Sequence, residues 1–362
     1  MKSIAFLIPI FRPNLCGVTD YCIRMAVLCG KQGVRTAILC TDEVDIDQIY
    51  LTSEGETTVR KLTKQSASEY DLLSIQYVPN LDSRSIRYFN TISSLSNSKL
   101  HLMIHECWLI KTQNEKFTVR QTVKRLIQKL LLNYLIIRWN PLTIATSNKF
   151  YQDLLLSHGM HADVSPMLGN IPVGTSENPP TETNLPSWWK PYETKFMWAS
   201  FGGLHCEDWD CNQHFLEARK YQNENGVNFY WAFVGGVSDL DKKEISKAAE
   251  KNGYAEAIFF TGYVETNVAD WWLRICDAGL SGNPRELWGK SGGILATIER
   301  GKPVLLPRGK AFQGQSIANI LSSIDEVISY QSLRLTESSL SNVEVNSSVL
   351  IPNFINTYLN QS

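Results

Sequence analysis

Residues 283–307 read NPRELWGKSGGILATIERGKPVLLP and crowd several chemistries into one stretch. Lys290 and Ser291 stand between Gly289 and the pair Gly292, Gly293. A cation, a hydroxyl and bare backbone at the opening of a helix-like run can hold an anion. The first N–H groups of a helix lack intrahelical partners, and the helix dipole adds positive charge there. A diphosphate suits such a turn, with Arg285 as a second cation. Glu286 lies beyond the anion position and can accept hydrogen bonds from hydroxyls. The spacing is not that of a GxxxxGK phosphate loop. Gly301-Lys302-Pro303 then stops the helix and starts the strand-like VLLP. The competing reading is a glycine-rich loop with incidental charges.

Such a turn needs a strand before it and a helix after it, and the chain alternates the two throughout. SIAFLIPI, VRTAILC, YDLLSIQYV, LHLMIHECW and PLTIATS are short apolar, branched segments of strand character. TDYCIRMAVLCGKQG has near-helical apolar spacing and closes with Gly30 and Gly33. Strands separated by helical spans predict parallel sheets in α/β units. Residues 174–188, GTSENPPTETNLPSW, break the pattern as a linker. It then restarts with KFMWASFGG, VNFYWAFVGG, the helix DKKEISKAAEKNG, AIFFTGYV, VADWWLRICDAGL and the quoted segment. The expected organisation is a first α/β domain over 1–173, a linker over 174–188, a second over 189–335 and a tail over 336–362 with a terminal helix. In doubly wound sheets ligands bind outside the carboxyl ends of the strands. Two such halves joined by a linker leave a cleft, and the motif turns all follow strands.

Composition bounds the rest. A chain of 362 residues with 43% hydrophobic and 20% charged residues is ordinary globular material for two domains. A net charge of -1 supplies no field for nucleic acid, and none is expected as a partner. The eight cysteines are scattered in a large chain and read as reduced, buried thiols, so the expected location is cytoplasmic. The spacing of His205, Cys206, Cys211 and His214 fits no common zinc module, and no metal is expected. MKSIAFLIPIFRP reads as a first strand rather than a leader, because its apolar run is short and broken by Pro9 and Pro13. Residues 116–139 carry Lys116, Arg120, Lys124, Arg125, Lys129 and Arg138 without an acid. They read either as a packed helix with a solvated basic face or as a helix lying peripherally on the inner face of an anionic membrane. Trp188, Trp189, Trp198, Trp271 and Trp272 could stack on ligands, but core packing is the better reading for most.

Four other strand ends bear on chemistry. Gly17 and Val18 follow the first strand, and Asp20 beside them can cap the next helix. His105 ends a strand, where it is either a site residue or a satisfied structural histidine. Gly202 and Gly203 follow KFMWASF, and Gly262, Tyr263 and Val264 follow AIFFT. Tyr263 is either a stacking surface or a core residue.

Taken together, Glu286-x-x-Gly289, a helix, then Gly301-Lys302-Pro303-Val304 resembles the C-terminal half of retaining glycosyltransferases of the GT-B fold, family four in particular. The turn with Gly17 and Val18 resembles that family's opening loop, and MLGNIPV its stretch before the linker. The resemblance spans nearly the whole chain through short, divergent motifs. Ala296 stands where the family's second Glu would hold the nucleotide ribose; Glu299 is its near neighbour, a substitute or a solvated helix charge. GGLHCEDWDCNQH lacks the Arg and Lys that the family carries after the first turn of its C-terminal domain. The resemblance implies two Rossmann-like domains and transfer of a sugar from a UDP- or GDP-linked donor to a glycan, lipid-linked or small-molecule acceptor. It implies retention, no metal and no further cofactor. His105 and Glu286 would act on the sugar. Gly17, Gly202, Gly203, Arg285, Gly289, Lys290, Ser291, Gly292 and Gly293 would hold the donor diphosphate. Gly262, Tyr263, Val264 and Glu299 would meet base and ribose. The alternatives are a non-catalytic accessory subunit of the same fold and another two-domain α/β enzyme, such as a nucleotide-sugar epimerase or a phosphorylase-like protein.

Overall fold

The computed structural model describes residues 2–41, 48–52, 55–79, 83–95, 99–110, 117–165, 167–174, 179, 185–189, 195–202, 211–281, 289–302, 304–305, 351–352 and 354–359. Contacts divide the chain into two units, Met1–Asn170 with Val345–Ser362, and Ile171–Glu344.

The first unit carries an eight-stranded sheet. Its strands are β1 (Ser3–Ile8), β2 (Arg35–Cys40), β3 (Gln48–Thr52), β4 (Gly55–Lys61), β5 (Leu72–Tyr77), β6 (Leu100–Ile104), β7 (Thr143–Thr146) and β8 (Asp163–Val164). Their order is β3-β4-β2-β1-β5-β6-β7-β8. Every pairing is parallel except β3 with β4. β1, β5 and β6 are buried along their whole lengths. That burial on both faces is why they read as continuous apolar runs. The helices are α1 (Gly17–Lys31), α2 (Lys64–Ser68), α3 (Ser83–Ser93), α4 (Val119–Trp139) and α5 (Lys149–Leu156). Gly30 lies inside α1, and Gly33 makes the left-handed turn after it (φ 78°). α4 opens on a reciprocal Thr118–Gln121 capping box and ends on Asn140 in the left-handed region. Strand order reverses at β1, with β2 on one side and β5 on the other.

The end of the tail, Val345–Ser362, belongs to this unit. Phe354 stacks on Phe6 of β1 (ring centroids 6.2 Å) and meets His101 of β6 edge-on at 5.7 Å. Residues 355–359 form one π-helical turn. Cys22 and Cys29 in α1 are buried thiols, and burial pushes Cys29 up to about 12.

The second unit carries five parallel strands, β9 (Lys195–Phe201), β10 (Asn228–Val234), β11 (Ile258–Gly262), β12 (Ala278–Leu280) and β13 (Val304–Leu305). Their order is β11-β10-β9-β12-β13, so the reversal falls between β9 and β12. The helices are α6 (Cys211–Asn225), α7 (Asp239–Lys251), α8 (Thr266–Ile275) and α9 (Gly292–Ile298). Alternation along β9 sends Phe196 and Trp198 into one core layer, with Phe215 and Trp231, and Met197 and Ala199 into another, with Trp271 and Trp272. Trp198, Trp271 and Trp272 are therefore core residues. Trp188 stacks on Tyr230 at 4.3 Å and Trp189 meets Trp271 edge-on at 5.1 Å, so the end of the expected linker is pinned to this unit.

Candidate functional site

Four turns at the carboxyl edge of the second sheet meet in a row, and glycine backbone is what lets them. Gly202 leaves β9 in the left-handed region (φ 87°) and donates its N–H to Val234 O at 3.1 Å. Gly235 follows β10 at φ 96°, so close that a Cβ on it would lie 3.7 Å from Gly202 N. Gly235 bridges to Gly262, which ends β11 at φ 69°. Beside it the Tyr263 ring lies over Gly236, where a Cβ would fall 2.5 Å from the ring. Tyr263 is 80% exposed, which removes the core-packing reading. Val264 is half-buried against the core with Trp272. Gly235 and Gly236 were visible in the sequence only as the FVGG turn.

The other end of the row is the Lys290–Gly293 turn. A Cβ on Gly293 would stand 2.9 Å from Phe201 O, at the end of β9. A Cβ on Gly279 in β12 would stand 2.7 Å from Thr297 Cγ2 in α9. The missing side chains seat α9 on β9 and β12, where the strand order reverses. Ser291 is the N-cap, its Oγ accepting from Ile294 N at 3.4 Å, and Lys290 and Gly289 precede it in a 3-10 turn. The run Gly262, Gly235, Gly202, Gly293 with Lys290 thus forms one continuous rim. Gly293→Ala is expected to destabilise the second unit by about 1–3 kcal/mol, because Phe201 or α9 must shift. Urea unfolding followed by tryptophan fluorescence measures it, and an unchanged midpoint would show that α9 is free to move.

The remaining assignments separate from this rim. Glu299 is the C-cap of α9, roughly 12 Å along the helix from Ser291 at 1.5 Å per residue. Ala296, at the position the resemblance gives to an acid, is fully buried. Gly203, Arg285 and Glu286 lie outside the described residues.

In the first unit His105 follows β6 and is 4% exposed. Its N–H donates to Tyr77 O at 3.0 Å, and the Tyr21 ring of α1 meets it edge-on at 5.3 Å. Nε2 lies 2.7 Å from Gln76 Oε1. Gln76 Nε2 donates to Ser74 O (3.1 Å) and Ser74 Oγ (2.8 Å), which leaves Oε1 to accept, so the network puts the His105 proton on Nε2. Gln76 is a residue the sequence did not single out, because only the β5–β6 register brings it to His105. Gly17 opens α1 with no described atom within 4 Å of a Cβ built on it. Asp20 does not cap α1; it accepts from Asn14 N at 2.8 Å and ties down the preceding loop. Burial raises its carboxyl to about 6, with the Asn14 bond opposing.

No protein-family model matches the chain, and no curated protein sequence matches it. Solved structures do. HepE of Anabaena, determined with UDP and glucose, is similar with a TM-score of 0.57 at 15% identity, covering 100% of both chains. Sucrose-phosphate synthase of Thermosynechococcus elongatus gives 0.56 at 11%, covering 100% of this chain and 97% of that one. A protein of Listeria monocytogenes described as a putative UDP-N-acetylglucosamine 2-epimerase gives 0.54 at 9%, covering 100% and 98%. At these identities the likeness shows the fold: a mixed α/β chain of the GT-B class with two Rossmann-like domains.

Proposed function

We propose that the chain is a glycosyltransferase that takes its sugar from a nucleoside diphosphate sugar, UDP-linked in the first instance, with retention and without a metal. The observation that carries this reading is the glycine rim at the strand-order reversal of the second unit, with Lys290 at one end and exposed Tyr263 at the other. Doubly wound sheets bind nucleotides at that place. Lys290 and Ser291 hold the diphosphate and offset charge as the bond to the anomeric carbon breaks. Tyr263 offers a face for the base, and the backbone of Gly202 and Gly262 admits the ligand closely. His105 and Glu286 are assigned to the sugar, and its acceptor is a glycan, a lipid-linked sugar or a small molecule. The likeness to HepE, determined with UDP, supports the choice of nucleotide.

A thermal-shift panel of nucleotides and nucleotide sugars, with and without Mg²⁺, tests it. Ligand bound to the folded state raises the midpoint by mass action. One nucleoside diphosphate should raise it independently of Mg²⁺. Lys290→Ala should weaken that ligand about 10- to 100-fold, the size of a lost hydrogen bond to a charged group. No shift with any nucleotide would overturn the reading. The likeness to an epimerase supports a second reading, 2-epimerisation of the same donor. Incubation of donor without acceptor separates the two: an epimerase inverts a carbon of the sugar and keeps its bond to the nucleotide, whereas a transferase releases the nucleoside diphosphate only with an acceptor.

A further inference from the structure

Helix α4 turns an apolar stripe away from the protein. Val119, Val123, Leu126, Leu130, Tyr134 and Ile137 recur at spacings of three and four, and each is at least half exposed, Val119 and Ile137 at 82% and 80%. The face packed on the first unit is the opposite one, with Gln128, Leu132, Leu135 and Trp139. Gln128 fixes it there, donating to Pro79 O at 2.7 Å and accepting from Leu109 N at 2.9 Å. At 100° per residue the outward stripe is about 80° wide, with basic residues along both margins. Arg120, Lys124 and Arg138 fall on one side, Arg125 and Lys129 on the other. Arg125 lies over the Phe117 ring at 5.0 Å and Lys129 over the Trp108 ring at 4.8 Å, which holds that margin in place. No Asp or Glu occurs from residue 117 to residue 148, in a chain whose net charge is -1.

We propose that α4 docks the chain flat on an anionic phospholipid bilayer. The apolar stripe enters the acyl boundary, and the basic margins sit at the level of the phosphates. The charge argues against a second copy of this chain, which would bring five cations against five on the same helix. The apolar centre argues against nucleic acid, whose backbone would desolvate against it. Among the described residues no helix is long and apolar enough to cross a membrane, so contact is at the surface. This inference is independent of the donor site.

The test is co-sedimentation of the full chain with phosphatidylcholine vesicles and with mixed phosphatidylcholine–phosphatidylglycerol vesicles. Binding to the mixed vesicles alone, weakened by salt, is expected. Arg120→Gln with Lys124→Gln should weaken it ~25-fold, about fivefold per charge. Leu126→Ser with Leu130→Ser and Ile137→Ser should abolish it, with circular dichroism unchanged and Tm little changed because these side chains are 55%, 59% and 80% exposed. Three results would overturn the proposal: no binding to mixed vesicles, equal binding by wild type and both variants, or a wild-type dimer that the serine variant dissolves without any vesicle binding. The last would assign the face to a second copy.

Discussion

Arg300→Met is expected to lower the unfolding free energy of the second unit by about 3–5 kcal/mol, the cost of leaving a buried charge without its partner. The Arg300 side chain is 0% exposed and that of Asp270 is 4% exposed. Nη2 and Nε of Arg300 reach the same oxygen, Asp270 Oδ1, at 2.7 and 3.0 Å. Nη2 also donates to Pro172 O at 2.8 Å, and Nη1 to Ala296 O. Asp270 in turn receives Arg274 Nε at 2.9 Å and Gly174 N at 3.0 Å. One carboxylate and one guanidinium therefore tie α8, the end of α9 and the segment Ile171–Gly174 together. Methionine keeps much of the bulk but strands Asp270, which Arg274 compensates from one side only. Adding Asp270→Leu removes the stranded charge, so the double variant should be destabilised by less than the sum of the two single changes. Denaturant titration gives all three values. Additive losses would mean that the two side chains act separately.

A second large effect is expected in acid. His101 is 1% exposed, with Nδ1 2.8 Å from Ser74 Oγ and Phe354 against its ring. Burial lowers its pKa from 6.5 to about 3. Above pH 6.5 the histidine is neutral in both folded and unfolded chains and contributes nothing to pH dependence. Below 6.5 the unfolded chain takes a proton that the folded chain refuses until about pH 3, so stability is lost through that window. Between pH 7.5 and 4.5 wild type should lose about 2–3 kcal/mol more than His101→Gln, whose amide can still bond Ser74 but does not titrate. Asp20 acts in the opposite sense. Its folded pKa of about 6 lies above the unfolded value of 3.8, so its contribution is full at low pH and lost as pH rises through 6. Comparing wild type with His101→Gln at each pH cancels that term. Parallel pH profiles would show that His101 is charged or solvated in the folded protein.

The parallel sheets were legible because a strand buried on both faces leaves an unbroken apolar run, as in β1 and β9. The β3–β4 hairpin was not. Its segment QIYLTSEGETTVRK mixes polar residues with Ile49 and Leu51, which are 67% and 72% exposed at the sheet edge, so no burial pattern marks it. The Lys290 turn was legible from local spacing, and its seat on Phe201 was not, since that contact joins residues about ninety positions apart. The same holds for Gln76 beneath His105. Glu299 was offered as a substitute for an acid at position 296, but helical geometry sends position 296 into the core and position 299 to the far end of the helix.

The attachment of residues 345–362 to the first unit has a consequence for how the chain is made. Phe354 reaches Phe6 and His101 only after the whole of the second unit has left the ribosome. The second unit behaves as an insertion between residues 170 and 345, complete in itself and synthesised before its host is closed. A released chain lacking residues 345–362 would have a first unit whose β1 and β6 lack their aromatic cover. Chaperone contact during synthesis should therefore last longest on the part of the chain that emerges first.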